Sequence, residues 1–226
     1  MLTVKSRLSA FDLHSHTIHS KDGLNKPRSL FTWMKRKGLR GMAITEHVTP
    51  SILRPIVKED HFLLNACEFM STDYGEIIGL FITEPIKNRT FAEIADDIKD
   101  QAALRVLPHP RDPLRKESAL RKHLPEQMIV RHIDLVEGIN SRCVVNRFNV
   151  WAQELAARTK KPVTAGSDAH SFLEMGHAKT WLQDIQNVDD IYQALQRGRT
   201  QITGHCSFPL WQIPTMIWQR ARRIGH

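Results

Sequence analysis

Two histidines stand two residues apart in Asp12-Leu13-His14-Ser15-His16-Thr17, and Lys21-Asp22-Gly23 follows closely. In an extended strand, residues two apart share a face, so both imidazoles would point the same way. Neutral imidazoles side by side form half of a divalent-metal site. Alone the pair fits two hydrogen-bonded histidines at a strand edge equally well. With twelve histidines in 226 residues, roughly 0.6 such pairs arise from composition alone. The rest of the chain tips the balance. Short apolar runs end repeatedly in ligand-type residues: Glu46-His47, Cys67-Glu68, Pro108-His109-Pro110, Glu137 to Asn140, and Gly166-Ser167-Asp168-Ala169-His170. Such groups are costly directly after apolar runs unless something pairs them. A mixed imidazole and carboxylate set suits Zn, Mn or Fe better than Ca or Mg.

The elements that must position these residues follow from periodicity. Strands are expected at 10–16, 41–47, 62–69, 76–82, 105–109, 133–140, 163–168, 179–182 and 200–204. Between them lie helical patterns. One covers 27–37, opening on Pro27 and stopping before Gly38. A second opens on the capping box Thr90 to Glu93 and runs to about residue 104. Others cover 144–157 and 187–197. Alternation of strands and helices implies parallel βα units, and about seven of them imply a barrel. The strand C-termini of such a barrel meet on one rim, where its site is kept. No GxGxxG or GxxxxGK[ST] loop follows a strand, which argues against a dinucleotide fold or a P-loop NTPase.

The ordered motifs, Asp12-x-His14-x-His16-Thr17 with Asp22-Gly23, Glu46-His47, Cys67-Glu68, Pro108-His109-Pro110 and Gly166 to His170, resemble the PHP (polymerase and histidinol phosphatase) family. The resemblance runs from about residue 10 to residue 204. It implies an α/β, distorted TIM-like (β/α)7 barrel of one domain, holding two to three divalent metal ions and hydrolysing phosphate esters. One metal would take His14, His16, Glu68 and Asp168. A second would take Asp22, His47 and His170. Glu68 would bridge to a third held by His109. The family's further ligand, His or Cys on the next strand, falls near Asn140, a weaker donor. Two cations about 3.5–4 Å apart activate a water and neutralise phosphoryl oxygens. His14, His16, Glu68 and Asp168 would be catalytic in this sense.

Around this centre, Arg142, Arg111, Lys21, His19 and His177 are candidate substrate contacts, with Arg142 also a candidate catalytic cation. Each has a plainer reading as a surface or turn residue. His205 and Cys206 read as structural.

Composition sets the outer limits. Apolar residues are 41% and charged residues 25%, so wholesale disorder is excluded. Lys plus Arg exceeds Asp plus Glu by 32 to 24, a formal +8, which suits an anionic substrate or surface. Cys67, Cys143 and Cys206 build neither a disulfide framework nor a CxxC site. No signal peptide and no membrane-length apolar stretch is visible, and the expected placement is cytoplasmic. Residues 1–207 form the expected barrel. Residues 208–226, with Trp211, Trp218, Arg220, Arg222 and Arg223, read as a basic amphipathic tail, either packed on the barrel or meeting a surface or partner.

The most direct function is hydrolysis of a phosphorylated small metabolite or nucleotide. A nuclease acting on nucleic-acid ends would use the same centre, but no aromatic-basic repeat accompanies the charge. Amide hydrolysis and a non-catalytic metal-binding barrel complete the alternatives.

Overall fold

The computed structural model describes residues 7–87 and 89–207, so the expected tail lies outside the described residues. The strands are β1 (Leu8–Asp12), β2 (Gly41–His47), β3 (Ile56–Lys58), β4 (His61–Met70), β5 (Glu76–Leu80), β6 (Leu104–Leu107), β7 (Leu135–Asn140), β8 (Val163–Gly166), β9 (Ala178–Gln183) and β10 (Gln201–Gly204). The helices are α1 (Leu30–Lys37), α2 (Phe91–Asp100), α3 (Glu126–His132), α4 (Asn146–Thr159) and α5 (Val188–Gln196). A 3-10 turn at Pro27–Ser29 leads into α1.

Strands β1, β2, β4, β5, β6, β7 and β8 follow one another round a nearly closed barrel. The closure is made just beyond β1 and β8. Leu13 N–H donates to the Ala165 carbonyl (3.3 Å), Asp168 N–H to that of His14 (2.7 Å), and His16 N–H to that of Ala169 (2.9 Å). The Gly166 position lies against His14, and a Cβ there would collide with the His14 side chain. Gly23 likewise lies against the Thr17 carbonyl, where a side chain would clash. The fold is thus the expected distorted (β/α)7 barrel, and it places β9 and β10 as an antiparallel pair outside β1.

The distortion lies at β5, which pairs antiparallel with both β4 and β6. No helix separates β4 from β5. Strand β3 and helix α3 were not anticipated from periodicity. The three residues of β3 are all exposed, and α3 buries only Ile129 and His132, so neither carries an apolar pattern. Elsewhere local chemistry set the ends. Thr90 and Glu93 cap α2 reciprocally, and Gly38, at φ 65°, ends α1 in the left-handed region.

Strand alternation sorts the core into layers. Phe62, Leu64 and Ala66 of β4 join Phe11, Ala43, Ile78, Val106 and Leu135 in one buried cluster, covered by Ile191 and Leu195 of α5. Leu63 joins Met42, Ile44, Leu30 and Met34 under α1. The face that carries Phe62, Leu64 and Ala66 continues to Glu68, and that of Ala43 continues through Thr45 to His47. The barrel's apolar filling therefore passes directly into polar groups at one end.

Asp12 fastens that end. Fully buried, it accepts from Ser167 N–H (2.8 Å), the Ser167 hydroxyl (2.5 Å), Gly176 N–H (2.9 Å) and His14 N–H (3.4 Å). Asp12→Ala would leave these donors buried without acceptors, and we expect a loss of about 3 kcal/mol, measured by urea denaturation.

Candidate metal centre

The ends of β1, β2, β4, β6 and β8 deliver imidazoles and carboxylates to one point. His14 Nε2 lies 3.5 Å from Glu68 Oε1 and 3.7 Å from Asp168 Oδ1. His16 Nε2 lies 3.7 Å from Glu68 Oε2 and 3.4 Å from Asp168 Oδ1. His47 reaches Glu68 (3.1 Å) through Nδ1 and Asp22 (3.5 Å) through Nε2. His170 Nε2 stands 3.3 Å from the other Asp22 oxygen. His109 Nε2 is 3.2 Å from Glu68 and 3.5 Å from Glu76. Donor atoms of His16, His47 and His170 lie within 4.8 Å of one another, as do those of His14, His16 and Glu68, and those of His14, His109 and Asp168.

Two of the positions are held in an unusual backbone conformation. His109 (φ 27°) and Asp168 (φ 55°) both have positive φ, which costs free energy and persists only where neighbours enforce it. Here Glu137 accepts from His109 N–H (2.7 Å), and the His14 carbonyl accepts from Asp168 N–H.

The residues fit a divalent metal. His14 Nδ1 lies 3.0 Å from Glu137 Oε1, and as the donor there it turns the Nε2 lone pair inward. His16 Nδ1 is held by the Ser20 hydroxyl at 3.2 Å. Nε2 of both rings is buried with no hydrogen-bond partner. Buried polar atoms are rarely left so, and an ion held between them would satisfy them. The electrostatics agree. Burial disfavours a charged His14, but the Asp168, Glu137 and Glu68 carboxylates outweigh it and raise its pKa well above the ordinary value. Burial opposes protonation of His47 too, yet Asp22 and Glu68 raise its pKa to about 11. His16 is pushed the other way by burial and by His170 and His47. The carboxylates thus recruit protons to adjacent rings, and a bound dication would displace those protons.

These groups form the floor of a cavity of about 470 Å³, lined by Asp22, His47, Glu68, Glu76, Asp168 and His170 and walled by Arg115 and Arg142. Arg142 Nε pairs with buried Glu174 (3.1 Å), and its Nη1 lies 2.6 Å from His170 Nδ1. The same His170 nitrogen is 2.8 Å from the Asp168 carbonyl. The carbonyl needs a donor and the guanidinium an acceptor, so one nitrogen cannot satisfy both.

Several sequence expectations require correction. Arg111 faces Glu126 at 3.6 Å and lines a different cavity, because the turn at His109 sends it toward α3. His19 and Lys21 are exposed and do not line the cavity. His177 packs on His205 (5.2 Å between rings) and the Ser207 hydroxyl (3.1 Å), and burial with Lys37, His205 and Lys179 nearby lowers its pKa to about 4. Asn140 has no oxygen to spare for a metal. Its Oδ1 accepts from Arg142 N–H (2.9 Å) and lies 3.4 Å from Arg115 Nη2, while its Nδ2 donates to Glu137 (3.0 Å) and Asp168 (3.2 Å).

Three residues were not singled out. Glu137 stood among the strand-end residues, but its hold on His14 and His109 was invisible. Glu76 opens β5, and Arg115 lies in the loop after β6, where no motif marks it.

Comparison with known proteins agrees with this architecture. A family model described as PHP-associated matches residues 146–200. The chain is 34% identical over 190 residues to an uncharacterized protein of Methanocaldococcus jannaschii, covering 80% of this chain and 74% of that one. The chain belongs to the PHP family. Among solved structures it is similar to a two-domain protein of Bacteroides vulgatus described as containing a predicted PHP-like metal-dependent phosphoesterase. That match has a TM-score of 0.71, 18% identity and coverage of 88% of this chain and 66% of the other. It is also similar to PsfC of Pseudomonas syringae, with a TM-score of 0.70, 15% identity and coverage of 95% and 99%. A third is a lesion-specific endonuclease of Pyrococcus furiosus, with a TM-score of 0.64, 16% identity and coverage of 87% and 58%. The chain therefore spans just under two thirds of the Bacteroides protein and little more than half of the endonuclease. No helix among the described residues is long and apolar enough to cross a membrane.

Glu137→Ala would free the His14 and His109 orientations together. We expect Mn(II) affinity to fall roughly 10- to 100-fold by isothermal titration calorimetry.

Proposed function

We propose that the chain is a metal-dependent phosphoesterase acting on a phosphorylated small metabolite or a nucleotide. The observation that supports this most is the pair of buried, unpartnered Nε2 atoms of His14 and His16, facing Glu68 and Asp168 below a cavity with two arginines in its wall. His14, His16, Glu68 and Asp168 would hold one metal, and Asp22, His47 and His170 another, with Zn, Mn or Fe as the occupants favoured by these donors. Bound there, such ions would supply an activated water near neutral pH and charge to polarise phosphoryl oxygens.

The chain's own residues bind and orient. Glu137 keeps His14 turned inward, and Ser20 does so for His16. Glu174 aims Arg142 at the cavity, where a phosphate oxygen would accept from its guanidinium. Such an acceptor would also relieve the conflict at His170 Nδ1. Leu114 and Val144 line the same cavity and are exposed, by 66% and 48%. They offer an apolar surface to the organic part of an ester. This favours a small ester over bare inorganic phosphate.

A nuclease reading draws on the +8 charge and on the fold shared with the endonuclease. The two readings separate in one experiment. Purified protein with Mn(II) or Zn(II) is given a phosphomonoester and nucleotide panel beside DNA and RNA oligomers. Phosphate release from the panel is expected. His14→Ala and Asp168→Ala should lower kcat on the order of 10³-fold, and Arg142→Ala should raise KM about tenfold. Cleavage of oligomers with an inert panel would favour the nuclease, and no hydrolysis of either would defeat the proposal.

A further inference from the structure

Arg115 is a cation inside the cluster that no motif announces. Its Nη2 lies 2.6 Å from Asp168 Oδ2 and 3.4 Å from Asn140 Oδ1. Its Nε lies 3.4 Å from the buried Asp112 carboxylate. Asp112 is itself fixed. Its Oδ1 accepts from Leu114 N–H (2.9 Å), and the Ser118 hydroxyl donates to its carbonyl (2.6 Å). The Arg115 side chain is three-quarters buried and lines the cavity beside Glu68, Glu76, Arg142 and Asp168.

We propose that Arg115 stands in for a third metal ion: this chain's centre takes two divalent cations, and the Arg115 guanidinium supplies the third positive charge and binds the substrate phosphate. The proposal rests on the phosphoesterase reading.

Three observations carry it. The first is the state of Asn140. An ion beside Glu68 and His109 has Glu76 within reach, 3.5 Å from His109, but gains no donor from this strand end, because the Asn140 oxygen is already committed to Arg142 N–H and Arg115. The second is Asp168. Arg115 occupies Oδ2, so only Oδ1 faces His14 and His16. Asp168 then serves one metal, on the side away from Arg115. The third is charge. A dication placed beside a fixed guanidinium is repelled, and arginine cannot lose its proton to make room. The guanidinium N–H donors not directed at Asp168 and Asp112 suit phosphate oxygens. A two-metal centre with an arginine thus leaves the rim strongly positive, and the arginine cannot be removed by a chelator.

The test uses the full chain, loaded with Mn(II) and freed of excess metal. Metal per chain is counted by mass spectrometry, and inorganic phosphate binding is measured by calorimetry. Wild type should hold two ions. The double variant Arg115→Ala/Asn140→His should hold three. Arg115→Ala should bind phosphate about tenfold or more weakly. Arg115→Lys, which keeps the charge and loses the fork, should recover part of that affinity and guards against a folding defect. Three ions in wild type, two in the double variant, or unchanged phosphate affinity in Arg115→Ala would each overturn the proposal. A wild-type chain that binds no divalent ion would instead overturn the phosphoesterase reading beneath it.

Discussion

Glu68, Glu137 and Asp168 are buried together at the end of an apolar barrel, and like charges held that close and dry repel strongly. Everything at this end of the molecule answers that constraint. His14 lies between all three carboxylates, His16 and His109 supply further imidazoles, and Arg115 and Arg142 bring permanent charge. The protein groups do not complete the balance, because ring nitrogens of His14 and His16 remain buried and unpaired. The arrangement has the character of a cage that bound cations would complete.

The barrel makes such a cage affordable in structural terms. The apolar layers beneath are contributed by most of the strands, so the polar floor rests on a packed base rather than on loops. Closure between the segments after β1 and β8 then sets the geometry. It brings His14 and His16 within hydrogen-bonding range of the Asp168 segment, across more than 150 residues of chain. Asp12, at the same seam, ties that closure to Ser167 and Gly176. Fold and site therefore depend on the same few contacts. Similar barrels occur in proteins described as a predicted phosphoesterase and as an endonuclease, so the fold alone does not select the substrate.

Much of the candidate site was legible because local sequence carried it. His47, Glu68 and Asn140 lie within the last few residues of their strands, and His109 and Asp168 two residues beyond, as apolar runs ending in ligand-type residues implied. Three features lay beyond that logic. Glu76 begins its strand, and only the antiparallel course of β5 brings that beginning to the rim. Glu137 sits at an irregularity in the pairing of β7 with β8, which breaks simple alternation. Arg115 is placed by a loop, where no periodicity speaks. Arg111 shows the converse. Proximity in sequence to His109 misled, because a positive-φ residue redirects the chain at that point.

Under the proposed function, divalent metal completes this buried cage and so stabilises the native state. The most direct measurement is the melting temperature of the full chain by calorimetry, after exhaustive chelation and again after adding back Mn(II) or Zn(II). A ligand present at 100 times its Kd contributes about 2.7 kcal/mol, so restored metal should raise the melting temperature by several degrees. An identical transition with and without metal would contradict the account.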